Sequence, residues 1–180
     1  RGDIRRFVRG DCDTVARLPN RLLASPDLFG DRPAEVEHSI NFVACHDGFT
    51  LNDLVSYSHQ HNDANLEDNK DGADDNHSTN CGLEGPTDDP VVEHIRTRLV
   101  KNLLGITLIA MGVPMIVMGD EVRRTQRGNN NAYCQDNELA WMDWSPEPRE
   151  AAFRDFVAGA LALRRELALL AERLPPDVAL

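Results

Sequence analysis

The sequence predicts an α/β fold with parallel strands, and three observations carry that expectation. Two short apolar runs, residues 39–45 (SINFVAC) and 113–118 (VPMIVM), have the length and composition of strands buried on both faces. Two longer stretches, near 91–110 and 147–170, repeat apolar residues at three- and four-residue spacings and read as helices. The two kinds of segment alternate, and a long polar loop follows each strand. That is where α/β folds, barrels and open sheets alike, place their ligand sites.

The elements follow in order. Residues 3–9 (DIRRFVR) form a short helix with Ile4, Phe7 and Val8 on one face. Asp13 to Leu23 reads as a second short helix, broken at Pro19. Residues 25–37, rich in Pro, Gly and Asp, read as loop. The first strand then runs into His46-Asp47-Gly48. Thr50 is placed to cap a helix over 51–58 (LNDLVSYS). Asp53 stands three residues on, where a capping box usually carries Glu or Gln. Residues 59–90 show little apolar periodicity and many Asn, Asp and Gly; a loop of that length in a compact domain is functional or mobile.

Asp88 or Asp89 ahead of Pro90 marks the next helix start. Its apolar stripe is Ile95, Leu99, Leu103, Ile106 and Ala110, with Glu93, Arg96, Arg98 and Lys101 facing outward. Gly112 ends it. The second strand starts near Pro114, tolerated there, and ends in Gly119-Asp120-Glu121. Residues 123–144 are a second polar loop containing Asn129-Asn130-Asn131. The last helix carries Phe153, Phe156, Val157, Ala160, Leu161 and Leu167 on its stripe. Residues 1–170 thus read as one unit, and 171–180 as a tail or the start of a following domain.

Composition narrows the function. The net charge of -11 over 180 residues argues against nucleic acid, whose phosphates call for basic patches, and against anionic membranes. The uncharged stretch 103–119 is split by Gly112 and Pro114, so it reads as helix, turn and strand rather than as a membrane span. The four cysteines are widely spaced and fit reduced, cytoplasmic thiols. The first residue is Arg and the chain opens inside a helix, which leads to the expectation of a piece of something longer.

The run SINFVACHDGFTLNDLVSY resembles the seventh barrel strand of isoamylase-type glycogen debranching enzymes, in the alpha-amylase family of glycoside hydrolases. The resemblance continues through HNDANLEDNKDGADDNHSTNCGLEGPTDD, GVPMIVMGDE and RTQRGNNNAYCQDNE, covering about residues 3–145. It implies a partial (β/α)8 TIM barrel, from helix six through helix eight and including strands seven and eight. It implies that Asp47 is the third catalytic carboxylate, which stabilises the oxocarbenium-like transition state, and that His46 binds sugar hydroxyls.

A fixed ionised carboxylate near a developing positive charge favours the transition state over the ground state. The nucleophilic Asp and the acid/base Glu of the family have no matching motif here. A retaining glycosidase needs that pair about 5 Å apart, so the chain alone is expected to be inactive. The substrate implied is an α-glucan, glycogen or limit dextrin, cut at α-1,6 branch points with retention, and no metal or organic cofactor is implied.

Further candidates surround the turn. Glu121 is placed to touch substrate, and Asn131 and Tyr133, in a polar run with one aromatic ring, suit a sugar-binding surface. Trp141 and Trp144 read equally well as packing residues. Glu67, Asn69 and Asp71 stand at EF-hand-like spacing around Gly72, but Ser78 falls where the bidentate Glu belongs, so the acidic loop 67–76 reads mainly as solvated. His59, His61, His77 and Cys81 fit no zinc spacing. A Cys45-His46-Asp47 nucleophile fails because neighbours on a strand point to opposite faces. Two alternatives stay open: a non-catalytic carbohydrate-binding or interaction segment, and a relative that acts on α-1,4 bonds.

Overall fold

The computed structural model describes residues 1–29, 38–145 and 148–171. Helix α1 (Gly2–Arg9) closes on Gly10, and buries Ile4 together with Arg5. A single 3-10 turn (Val15–Arg17) leads into α2 (Leu18–Leu22). Pro19 lies in the first turn of α2, so it starts this helix rather than breaking it: its missing N–H belongs to a position that has no intrahelical partner. A short α3 (Pro26–Phe29) follows within the stretch expected to be loop. The rest of that stretch, residues 30–37, lies outside the described residues, as do 172–180 of the expected tail.

Both expected strands exist, but each is two residues long. β1 (Ile40–Asn41) and β2 (Val113–Pro114) pair in parallel, with Ile40 opposite Val113 and Asn41 opposite Pro114. The Val113 and Met115 amides donate to the Ser39 and Asn41 carbonyls at 2.8 Å each. The expectation of burial on both faces is corrected here: Ile40, Val113 and Met118 are 60%, 50% and 60% exposed. Each strand has one strand neighbour among the described residues, so the faces that a wider sheet would cover stay open to solvent.

The crossover between the strands is helix α4 (Pro90–Ile109), started by Asp89, whose side chain accepts from the Val91 and Val92 amides at 2.8 and 3.3 Å. Its most buried stripe runs Val92, Arg96, Val100, Leu104 and Leu108; of the expected line Leu103 and Ala110 are buried too, while Ile95, Leu99 and Ile106 are half-buried. Arg96, expected to face outward, is 1% exposed. Its guanidinium donates to the carbonyls of Gly85 at 2.7 Å and Asn80 at 2.9 Å, and to that of Leu83. A buried cation is tolerated because those carbonyls replace its hydration.

Helix α5 (Pro148–Ala171) lies against α4 and buries Phe153 and Val157, as its stripe predicts, while Leu167 stays exposed. Arg164 of α5 donates to the carbonyls of Leu108 and Ala110 at 2.6 and 2.7 Å, and so satisfies the open end of α4. The core between these helices takes Val43, Phe49, Leu51 and Leu54 from the segment after β1. No helix of the described residues is long and apolar enough to cross a membrane.

Candidate functional site

The chain leaves β1 through Val43 and Ala44, both buried, and emerges at His46-Asp47. The two side chains are 90% and 76% exposed, with His46 Nε2 3.4 Å from Asp47 Oδ2. The turn beneath them is fixed from several sides. Gly48, at φ +98°, adopts a left-handed conformation that a side chain would strain, and its amide donates to the Asn130 carbonyl at 2.9 Å. The Cys45 thiol donates to the Asp47 carbonyl at 3.1 Å, so this half-buried sulfur is engaged with its own turn. Arg5, 3% exposed, donates to the Val43 carbonyl at 2.8 Å and the Asn76 carbonyl at 2.9 Å. Burial, reinforced by the neighbouring Arg1 charge, pulls the Arg5 guanidinium down to about 10.

Two buried carboxylates hold the segment that follows. The Thr50 hydroxyl accepts from the Asp53 amide at 3.1 Å, but only one 3-10 turn (Asp53–Val55) forms in place of the expected helix, and Asn52 rather than Thr50 precedes it. Asp53 does not cap back. Its fully buried side chain accepts from the Thr125 hydroxyl and from the Gln126 amide at 2.8 Å, fastening the second loop. Burial pushes its carboxyl up, against those hydrogen bonds. Asp120 accepts from the Leu51 amide at 3.0 Å and the Val117 amide at 3.3 Å, which joins the end of the β2 segment to the turn after β1. Burial raises its carboxyl to about 6.

The two long loops meet through amides. Asn62 and Asn130 are buried and bond reciprocally: Asn62 Nδ2 donates to Asn130 Oδ1, and the Asn130 amide donates to Asn62 Oδ1, both at 2.9 Å. Asn129 Nδ2 donates to Asn65 Oδ1 at 3.0 Å, and Asn65 Nδ2 donates to Asp71 Oδ2 at 2.7 Å. Gly72, at φ +84°, lets the first loop approach: a Cβ there would stand 2.1 Å from Asn130 Oδ1.

The remaining candidates make bonds of their own. Asn131 turns its amide into the network, Nδ2 donating to Asp71 Oδ2 at 2.9 Å. Tyr133 is 70% exposed and donates its hydroxyl to Glu67 at 2.5 Å, a bond that raises the phenol to about 12. Glu121 is half-buried and accepts from the Gly119 amide at 2.9 Å. Among the described residues, no hydrogen bond or ion pair joins His46 or Asp47 to Glu121, Asn131 or Tyr133. The turn reaches the amide network through the Gly48 amide and the Asn130 carbonyl. Asn69 Oδ1 accepts from the Asn62 amide at 2.7 Å, so the side chains of the EF-hand-like spacing are used internally. Among the described residues, no group of three or more His, Cys, Asp or Glu is placed to hold a metal ion.

The arrangement offers an open carboxylate and imidazole on a rigid turn at the C-terminal end of a parallel strand. The pair can exchange hydrogen bonds with hydroxyl groups and present negative charge to them. No family model matches the chain. Curated relatives do match. A protein named glycogen operon protein GlgX homolog, from Mycobacterium tuberculosis, is 49% identical over 168 residues, 92% of this chain and 23% of that protein. The glycogen debranching enzyme of Pectobacterium atrosepticum is 46% identical over 171 residues, 94% of this chain and 26% of that one. That of Cronobacter sakazakii is 44% identical over 175 residues, 96% and 26%. The chain spans about a quarter of the length of the curated relatives it matches.

Proposed function

From the premise that the chain is homologous, along nearly its whole length, to part of the glycogen debranching enzymes, we propose that it supplies one third of a glycoside hydrolase active site. In this reading the parallel β1–β2 pair is strands seven and eight of a (β/α)8 barrel, and α1, α4 and α5 are helices six to eight. The substrate is glycogen or limit dextrin in the cytoplasm, cleaved at α-1,6 linkages with retention. The observation that carries it is the exposed Asp47 beside His46, on a fixed turn at a strand's C-terminal end.

Asp47 acts as the transition-state carboxylate. As the glycosidic bond breaks, positive charge spreads over the ring oxygen and anomeric carbon, and a preplaced anion stabilises that state more than the neutral substrate. His46, 3.4 Å away, orients Asp47 and takes sugar hydroxyls. Arg5, Gly48 and Asp120 keep the turn from moving when substrate arrives, so little reorganisation is needed at the moment of reaction. The nucleophile and the acid/base come from the portion of the relatives outside this match. The 180-residue chain by itself therefore releases no reducing ends from glycogen, and release by the purified chain sinks that point.

The deciding experiment is Asp47→Asn in the full-length protein. Turnover of a branched oligosaccharide should fall by about 10³-fold, with substrate affinity roughly kept. Near-normal turnover overturns the role. A variant whose glycogen affinity collapses while turnover persists points instead to a binding segment.

A further inference from the structure

Two clefts lie side by side against the second loop, and neither is lined by His46 or Asp47. They share Arg123, Thr125 and Arg127 in their walls. One, of about 530 Å³, is also lined by Trp141 and Glu138. The other, of about 590 Å³, is also lined by Tyr57, Thr87 and Asp88. Both fall within the range of volumes of small-molecule sites.

The walls hold groups the fold has placed but not used. Trp141 is 58% exposed, and its indole is fixed by donating Nε1 to Asp136 at 2.9 Å, so one apolar ring face is presented in a set orientation. Tyr57 is 6% exposed, yet its hydroxyl has no partner among the described residues. The hydroxyl is not sealed from solvent, so it stays open to a ligand at the cleft. Arg127 lies in both walls, is exposed, and its guanidinium makes no hydrogen bond or ion pair among the described residues. Arg123, by contrast, is spent on Asn52, Glu93 and Thr97. The exposed carboxylates of Asp88 and Glu138 stand in the same walls.

A flat apolar face flanked by free donors and free acceptors of both signs suits a neutral polyhydroxylated ring. It stacks on its C–H face and exchanges hydrogen bonds around its rim. An anion is served less well, because the acids in these walls and the net charge of -11 oppose it. We propose that the joined clefts form a second carbohydrate-binding groove, separate from the His46-Asp47 turn, which holds a linear run of α-linked glucose units. The glucose identity rests on the glucan reading above; the groove itself rests on Trp141, Tyr57 and Arg127.

The test uses the full-length protein in glycogen-containing native gels, with maltoheptaose as competitor. Trp141→Ala should weaken retardation by glycogen about tenfold, as truncating one aromatic anchor does. Arg127→Gln and Tyr57→Phe should weaken it severalfold. Turnover of a short branched oligosaccharide should hold in all three. Tyr57→Phe removes only an unpartnered hydroxyl, so it keeps the test alive if Trp141→Ala fails to fold. Unchanged retardation in Arg127→Gln and Tyr57→Phe overturns the groove. So does turnover falling in step with retardation, which would merge it with the catalytic cleft. Release by inorganic phosphate but not by maltoheptaose also overturns it, in favour of an anion site. Asp47→Asn separates the two readings. Lost turnover with intact groove variants removes the groove alone. Kept turnover with weakened groove variants removes the Asp47 role alone.

Discussion

At the His46-Asp47 turn the polar side chains stand in solvent and meet only each other. One peptide further on, Gly48 is bonded to Asn130, and there the amides of Asn62, Asn129 and Asn130 are buried and engaged. Both regions are rich in the residues that sequence reading associates with chemistry, yet the fold treats them oppositely. Where a polar group is satisfied internally, it shapes the protein; where it is held firmly but left unsatisfied, it is free for a ligand. In their contacts the contrast divides Asp47 from Asn131, which bonds Asp71, and Arg127 from Arg123 in the shared wall of the two clefts.

The largest effect expected from this contrast is at the open region. Asp47→Asn should remove about three orders of magnitude of turnover while leaving unfolding free energy within ~0.5 kcal/mol, because the side chain supports nothing. A large loss of stability in that variant would break the comparison.

Next comes Asn130→Ala at the closed region. It strands Asn62 and uncouples the two loops, and should cost about 2–4 kcal/mol in denaturant unfolding, since buried partners are left unpaired. A cost below ~1 kcal/mol would mean that the amides are replaceable by water.

A smaller effect is expected from pH. Burial holds the Asp120 carboxyl at about 6, against an ordinary 3.8, so the folded chain binds that proton more tightly than the unfolded one. Its contribution favours folding below about 4 and is lost as pH rises through 6. Stability should therefore rise by ~1–2 kcal/mol from pH 7 to pH 5. Glu84 acts in the reverse sense. Burial works against its carboxylate but is outweighed by hydrogen bonds from Ser58, His61, Asn80 and His59, which hold it at about 2. That support is present above about 4.5 and is lost as pH falls toward 2. Asp120→Asn should lower stability overall and flatten the upper limb; an unchanged slope between pH 7 and 5 would assign that limb to another group.

The smallest effect is Tyr133→Phe. It deletes an exposed bond to Glu67 and keeps the ring, so the unfolding midpoint should hardly move. If glycogen affinity also holds, the tyrosine contributes only its face; if affinity drops, the hydroxyl leaves Glu67 to meet the sugar.

What could be read in the sequence was local. The Asp89-Pro90 start of α4, the stripe of α5 and the His-Asp-Gly turn are each written within a few consecutive residues. What could not be read depended on partners far along the chain. Asp53 looked like half of a capping box, but its acceptors serve residues 125 and 126. Arg96 looked like a solvated helix residue, because the carbonyls that bury it belong to a loop with no periodicity of its own. The asparagines of 59–76 looked like solvated loop composition for the same reason: an amide that will be buried and one that will be wet have the same letter. The strands were overread because an apolar run fixes what a segment prefers, whereas a ladder requires a neighbour.

The amide junction also sets how this protein should age. Apart from those to the Asp71 carboxylate, its bonds are between neutral groups, so salt and moderate pH shifts leave most of them untouched, unlike ion pairs. Side-chain amides are, however, among the chemically fragile groups at high temperature. Hydrolysis of Asn130 to a carboxylate would turn the donor facing Ala73 and Asn76 into a second acceptor and set negative charge among carbonyl oxygens. Prolonged heating should then disable the molecule through covalent damage rather than reversible melting, and acidic charge variants on isoelectric focusing would mark each chain as it is lost.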